Sequence, residues 1–273
     1  EWHQDTIVFN CIKNKTHISK TISDLPEIKN KEKAVVISAG PSLHYRKTLE
    51  TLKNSNFKGP IIAIDGSYVK CLKAGIIPDY VLTMDPHAKR VVRWFGDPNY
   101  EENLDGDDYF SRQDLDIDFR ENSLKNNIIN IDLVNKFAPR SKLIIASTAH
   151  SSVVKRVTDS GFEMYWWLPL VDDPDSPNSL TRKMYEETRL PALNTGGNVG
   201  TSAWVFAQFW LEAQKVAVIG MDLCYYKNLP YEMTQGYYEL LQLIGKDNLT
   251  DEYFPVMENP LTKEEFYTDP TYF

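Results

Sequence analysis

Short apolar runs alternate with longer segments of mixed polarity from about residue 33 to residue 225. The first three runs are rich in β-branched residues and apolar on both alternating faces, which is typical of buried parallel strands. They are residues 34–39, 60–66 and 80–86. Helical patterns over 45–54 and 67–74 separate them, so the sequence predicts βαβ units and a parallel sheet.

Later patterns extend this sheet. Strands are predicted over 127–133, 143–148, 164–170 and 215–223, and helices over 151–160 and 201–213. We therefore predict an α/β fold, a Rossmann-like, doubly wound and mostly parallel sheet with helices on both faces.

The same patterns divide the chain into three parts. Residues 1–32 are predicted to be an N-terminal extension, helical or loose, and residues 33–225 a Rossmann-like nucleotide-binding core. Residues 226–273 are predicted to be an irregular tail with one helix near 237–244.

The net charge of −8 is carried by one segment. Residues 97–121 hold ten acidic side chains and two arginines, and the rest of the chain is balanced. We interpret 97–122 as an acidic insertion. Asp114, Asp116 and Asp118 would share one face of a strand and could hold a cation, but a solvated insertion is the favoured interpretation. Because no basic face is predicted, nucleic acid is disfavoured as a partner.

Hydropathy and cysteine usage favour a cytoplasmic protein. No apolar run reaches the roughly 20 residues that cross a bilayer, so no transmembrane segment is predicted. Three cysteines far apart in sequence, without CxxC spacing, are typical of reduced thiols. The chain begins at Glu1 instead of Met, which leaves open that it belongs to a larger parent chain. Homo-oligomerisation is also left open.

The turn after the first strand reads Ala39-Gly40-Pro41-Ser42-Leu43. Glycine allows close backbone approach, proline suits the first turn of a helix, and the Ser42 hydroxyl can cap the helix or donate to a phosphate. A helix N-terminus also attracts anions. Residues Gly40, Pro41, Ser42 and Leu43 are therefore a candidate phosphate site, and an ordinary strand-to-helix turn is the alternative.

Polar residues also stand at or just after the carboxyl ends of the second and third strands and of the strand over 143–148. Asp65 and Gly66 stand where Rossmann-like folds hold a ribose hydroxyl, and a helix cap is the alternative for Asp65. Asp85 could bind a metal or a hydroxyl. His87 and His150 could move a proton near neutral pH, or be ordinary solvated loop histidines.

A glycine-rich loop precedes the apolar helix over 201–213. Its residues Thr195, Gly196, Gly197 and Asn198 form a second candidate anion cradle. Gly220 and Asp222 stand at the carboxyl end of the last predicted strand. Since ligands bind beyond the carboxyl ends of the strands, all these groups are expected to converge on one crevice, with Asp65 and Asp222 at the ribose or base. The dinucleotide and P-loop fingerprints are absent.

Taken in order, residues 38–43, 74–86, 195–200 and 218–223 resemble the MptE-like family, over about residues 33–225. This family includes 6-hydroxymethylpterin diphosphokinases and the motility accessory factors, which resemble transferases that place nonulosonic (sialic-acid-like) sugars on flagellin. The Gly-Pro-Ser turn is also similar to that of bacterial sialyltransferases, whose ligand is a CMP-sugar. The resemblance implies a nucleotide-dependent transferase.

The resemblance divides on chemistry after the third strand. The pterin diphosphokinases carry Thr-Asp-Leu-Asp-Gly there, suited to Mg-ATP, where this chain reads Thr83-Met84-Asp85-Pro86-His87. One carboxylate remains. The resemblance therefore favours a glycosyltransferase that uses a CMP-activated nonulosonic or sialic-type sugar. From their positions at strand ends, His87 or His150, with Asp85, are the candidate catalytic residues of such an enzyme.

Two alternatives stay open. The chain could be a 6-hydroxymethylpterin diphosphokinase that uses ATP with Mg²⁺ held by Asp85. It could also be a non-catalytic nucleotide- or sugar-binding module of a larger surface-glycan protein. The acceptor, whether a glycan, a protein or a pterin, is not indicated.

Overall fold

A computed structural model describes residues 4–103, 117–227, 237, 240, 244–245 and 250–268. Within them, seven strands form one parallel sheet. These strands, β1 to β7, are Lys33–Ile37, Ile61–Ile64, Tyr80–Thr83, Lys142–Ala146, Glu163–Leu170, Ala192–Asn194 and Lys215–Ile219. In this part of the chain no helix has both the length and the apolar character needed to cross a bilayer.

Ten α-helices lie in the described residues. In chain order, α1 to α10 are Gln4–Asn14, Ser42–Tyr45, Thr48–Asn54, Asp65–Lys73, Ala88–Trp94, Tyr100–Asn103, Ile117–Phe137, Ser151–Asp159, Leu180–Thr188 and Val199–Val205. A π-helical segment, Phe206–Trp210, continues α10. Short 3₁₀ turns span Lys15–His17, Ile22–Asp24, Ala138–Arg140 and Asp251–Tyr253.

The order of the strands is β6-β5-β4-β3-β2-β1-β7. From β1 the chain winds in one direction as far as β6, and it returns once, to place β7 on the free side of β1. β1 and β7 pair in parallel from Lys33 and Lys215 to Ile37 and Ile219. The predicted Rossmann-like α/β fold is confirmed, and its topological switch point lies between β1 and β7.

Alternate strand residues supply two separate apolar layers. Val81, Leu143 and Trp166 face the layer formed with α1, α4, α5, α7, α8 and α9. On the other face, Leu82 and Trp167 pack with the buried side of α10 and its π-helical continuation. This alternation explains why the strands read as continuous apolar runs, since both faces of the sheet are covered.

The predicted strand over 127–133 is wrong, because this segment belongs to α7. Asn127 and Val134 are buried, whereas Ile128 and Ile129 are 61% and 40% exposed. Buried positions thus recur at helical spacing, with Ala138 next in the series. The run of isoleucines suggested a strand because a short apolar run does not by itself distinguish the two structures.

The predicted irregular tail contains two strands, and together with a strand at the end of the predicted core they form an antiparallel sheet in the order β8-β10-β9. They are β8 (Cys224–Tyr226), β9 (Val256–Glu258) and β10 (Glu265–Thr268). Tyr226 pairs with Phe266 in register, an arrangement that suits aromatic residues with high β propensity. In the predicted helix over 237–244, Tyr237, Leu240 and Ile244 are helical, and the other positions lie outside the described residues.

The N-terminal residues pack closely onto the predicted core. Helix α1 contacts α9, and Ile22 is fully buried against the sheet. The side-chain amide of Asn14 donates to the carbonyl oxygens of Ser147 and Ala149 at 2.8 and 2.7 Å, and that of Asn10 to Thr148 at 3.0 Å. Helix α1 therefore holds the loop that leaves β4.

Half of the predicted acidic insertion, residues 104–116, falls outside the described residues. This applies to Asp105, Asp107, Asp108, Asp114 and Asp116. Asp118 belongs to α7 instead of a strand. The cation proposal for this segment stays a prediction.

Candidate functional site

The turn after β1 is bound to the residues that follow β7. The backbone N–H of Ser42 donates to Oδ2 of Asp222 at 2.7 Å, and the Ser42 hydroxyl donates to Oδ1 at 2.7 Å. The N–H of Gly40 donates to the carbonyl of Gly220 at 2.8 Å. Two of the predicted site segments therefore meet at the switch point. We call Ser38, Gly40, Ser42, Gly220 and Asp222 the switch-point cluster.

Glycine is required at position 40 by this contact. A Cβ there would lie 2.5 Å from Oδ2 of Asp222 and 2.6 Å from the Gly220 carbonyl oxygen. The lack of a side chain at Gly40 was predicted to let a ligand approach the backbone. In this structure the Asp222 carboxylate occupies that space.

The glycine-rich loop reaches the cluster through the start of α10. A Cβ on Gly200 would lie 2.5 Å from the Ser38 hydroxyl oxygen, so α10 begins directly beside the end of β1. Asparagine side chains accept hydrogen bonds from backbone N–H groups of the loop and of the first turn of α10. Oδ1 of Asn198 accepts from Thr201 at 3.0 Å, and Oδ1 of Asn194 accepts from Gly196 at 2.9 Å. The loop is thus closed on itself as well as joined to β1.

Two polar groups of this region were not among the predicted site residues. The ammonium of Lys70, on α4, donates to the Ala39 carbonyl at 3.1 Å and places a positive charge at the turn. Ser38 is 4% exposed, and its hydroxyl has no hydrogen-bond partner among the described residues. Both could have been inferred, since Ser38 immediately follows β1 and Lys70 lies on the helix that begins at Asp65.

Asp65 lies in the interior, at the end of β2. It is 1% exposed, and Oδ2 accepts from the Thr83 hydroxyl at 2.6 Å. Its Oδ1 accepts from the N–H of Gly66 at 2.7 Å. In this conformation the carboxylate joins the ends of β2 and β3. Its predicted contact with ribose stays a prediction.

The two candidate histidines lie on neighbouring loops, after β3 and β4. Oδ1 of Asp85 accepts from the His87 N–H at 2.8 Å. The Thr148 hydroxyl donates to the Met84 carbonyl at 2.9 Å, and the Ser152 hydroxyl donates to the Ala88 carbonyl at 2.7 Å. The loops are therefore fixed to each other, and α1 supports the second of them.

His150 is also the N-cap of α8, where Nδ1 accepts from the Ser152 N–H at 3.2 Å. Burial lowers the pKa of His150, and the nearby charges of Lys13 and His87 lower it further. The ring is therefore neutral at pH 7, as a proton acceptor must be.

This lowered pKa predicts acid sensitivity. The unfolded chain binds a proton at His150 near pH 6.5, before the folded chain does, so this residue destabilises the fold as pH falls below about 6.5. We expect His150→Asn, which retains an N-cap side chain, to lose less stability than the wild type between about pH 7.5 and pH 5. Urea unfolding at both pH values measures this, and an unchanged pH dependence would contradict it.

Three residue groups that were predicted separately thus meet at one edge of the sheet. The switch-point cluster occupies β1 and β7, Asp65 follows β2, and the histidines follow β3 and β4, in the order of the strands. Across the described residues, no three His, Cys, Asp or Glu side chains are grouped to hold a metal ion.

The sequence model described as 6-hydroxymethylpterin diphosphokinase MptE-like matches residues 9–99. Residues 9–99 are therefore similar to the MptE-like family. The family resemblance is confirmed here, and the match begins earlier than we inferred, within α1. The MptE-like segment contains the Gly40 turn, Asp65, Asp85 and His87, whereas the loop at 195–198 and Asp222 lie beyond it.

Two further proteins are similar to the chain. An uncharacterized protein from Treponema pallidum (strain Nichols) is 29% identical over 77 residues, which cover 28% of this chain and 36% of that protein. The structure of the MAf glycosyltransferase from Magnetospirillum magneticum AMB-1 superposes with a TM-score of 0.53 at 13% identity, covering 98% of this chain and 33% of that one. The chain therefore spans about a third of each, and the second likeness concerns the fold.

Proposed function

We propose that the chain is a nucleotide-dependent transferase, and that it is a glycosyltransferase whose donor is a CMP-activated nonulosonic or sialic-type sugar. The observation that carries the proposal is the pair of hydrogen bonds from Ser42 to the Asp222 carboxylate. A phosphate presents oxygen acceptors of the same kind, and backbone N–H groups at such turns bind them. The same donors of Ser42 would be offered to a phosphate that replaced the carboxylate.

The neighbouring groups suit the rest of such a donor. The positive charge of Lys70 would balance the phosphate, and the Ser38 hydroxyl would gain a partner. Asp65 would accept hydroxyl groups of the ribose or amino groups of the base, whereas Asp222 would give up the donors of Ser42 to the phosphate. His87 or His150 would act as the general base toward the acceptor hydroxyl, or as the acid toward the leaving phosphate.

The comparisons support a transferase, and they do not distinguish its donor. The MptE-like segment and the fold of the MAf glycosyltransferase agree with the proposed class. The choice of a sugar nucleotide over ATP depends on the single carboxylate, Asp85, after β3. The three free cysteines, two of them buried, are consistent with a cytoplasmic setting.

Thermal shift with CMP, CMP-sialic acid and ATP, each with and without Mg²⁺, tests the proposal. We expect CMP-sialic acid to raise the Tm of the wild type, and Ser42→Ala to lose most of this shift. Ser55→Ala is the matched control, because its exposed hydroxyl donates to the Leu52 carbonyl at the end of α3. If none of the three nucleotides stabilises the chain, the proposal is wrong.

A diphosphokinase is the second candidate, and the description of the matching family favours it. In that case Asp85 would hold Mg²⁺. AMP release that requires both Mg²⁺ and 6-hydroxymethylpterin would decide for it.

The third candidate is a binding module without turnover, because the chain spans only 33% of its structural neighbour. Nucleotide binding without any transfer or AMP release would favour that module.

A further inference from the structure

A cavity of about 590 Å³ opens between the end of β7 and the small sheet of β8, β9 and β10. Asp222, Leu223, Tyr226, Met257, Glu258 and Phe266 line it. Its volume lies within the range of small-molecule sites, about 300–1,000 Å³. Asp222 belongs both to this cavity and to the switch-point cluster, so a molecule in the cavity would lie beside the Gly40 turn.

The walls of the cavity combine aromatic rings with exposed apolar side chains. Leu223 is 45% exposed and Met257 is 57% exposed. The ring of Tyr226 packs on that of Phe266 with centroids 4.9 Å apart, and on Tyr45 of α2 at 4.4 Å. The aromatic wall is therefore fixed to the helix that carries Ser42. Exposed apolar surface within a cavity of this size is typical of a binding site.

The charges of the lining disfavour anions. Asp222 and Glu258 contribute carboxylates, and the lining residues that the structure describes include no lysine or arginine. Lys263 pairs with Glu258 at 2.9 Å from outside the lining. The neighbouring cavity across Tyr226 does contain Arg46 and Lys227, but these pair with Glu264 and Glu265.

We propose that this cavity binds a neutral sugar. A sugar ring has an apolar C–H face, which packs on aromatic side chains, and hydroxyl groups at its edge, which donate to carboxylates. Tyr226, Phe266 and Asp222 offer both kinds of contact. The proposal goes beyond nucleotide binding, and in a glycosyltransferase of the kind proposed above this sugar would be the acceptor.

Two probes that differ in one group test the proposal, namely phenyl β-D-glucoside and phenyl β-D-glucuronide. We expect saturation-transfer NMR to detect the glucoside, with a Kd of roughly 1 mM. We expect the glucuronide, which adds a carboxylate at the same size, to bind about tenfold more weakly. An absence of glucoside binding, or equal affinity for the two probes, would overturn the proposal.

Variants locate the binding. Met257→Arg, which fills the cavity, should abolish the glucoside signal. Leu261→Arg should retain it, since Leu261 is 91% exposed and lies near the same hairpin outside the lining. If Met257→Arg does not fold, Phe266→Leu removes the aromatic face and should weaken binding about tenfold. Retention of full affinity in a folded cavity variant would refute the assignment.

The outcome is separable from that of the nucleotide experiments. The probes are titrated without nucleotide, and the thermal shifts are measured without sugar. Nucleotide binding without glucoside binding would refute the sugar site alone. Glucoside binding without any nucleotide shift would refute only the proposed transferase.

Discussion

Asp222→Asn is expected to bind CMP at least about tenfold more tightly than the wild-type chain. In the present structure the Asp222 carboxylate occupies both donors of Ser42, so a phosphate must displace it. Two like charges about 4 Å apart repel by about 4 kcal/mol at an effective dielectric of about 20. Asparagine keeps an acceptor for Ser42 and removes this repulsion. Isothermal titration calorimetry measures the change in Kd.

Glu265→Gln is the control for this experiment. It removes an equal charge from the same region, where Glu265 is half exposed and pairs with Lys227 at 3.1 Å, and it should leave CMP affinity unchanged. Weaker binding by Asp222→Asn would contradict the expectation. It would show instead that the carboxylate itself holds the ligand, as the predicted contact with ribose or base requires.

Arg156→Met is expected to lower the free energy of unfolding by about 3–5 kcal/mol. Arg156 is 4% exposed, and its guanidinium donates to the carbonyl oxygens of Phe95 and Gly96 and to the side chain of Asn135. Methionine fills a similar volume but leaves the two buried carbonyl groups without these donors. Urea unfolding of both proteins measures the difference.

Lys155→Met provides the matched comparison. Lys155 is the preceding residue of α8, and its exposed ammonium pairs with Asp159. An exposed pair of this kind contributes less than about 1 kcal/mol. If the two variants lose similar stability, the bonds of the buried guanidinium to Phe95 and Gly96 do not stabilise the fold as expected.

Much of the sheet could be predicted from the sequence because both of its faces are covered. β1, β2 and β3 appear as unbroken apolar runs, each followed by a helix. β9 has only three residues, which is too short for any periodicity to be recognised. The segment 127–133 was misassigned because only the packing of the folded protein shows that Ile128 and Ile129 face outward.

The candidate site was predicted in part for a similar reason. The ends of parallel strands must share one edge, which indicated that the Gly40 turn, the loop at 195–198 and Asp222 would approach each other. The bonds between Ser42 and Asp222 could not be inferred. Nothing in the sequence pattern shows that β7 pairs with β1, when it could equally be expected to pair with β6. The support of the β4 loop by Asn10 and Asn14 was missed for lack of any local signal.

The position of β7 also determines when the sheet can be completed during synthesis of the chain. Ser42 and Asp222 are separated by 180 residues, so a ribosome that has synthesised β1 to β6 holds a chain in which β1 is still an open sheet edge. Such an edge can pair with other chains, and contacts between distant residues form slowly. We expect the nascent chain to need protection at β1 until β7 emerges. Ligand affinity should therefore arise in the final step of folding.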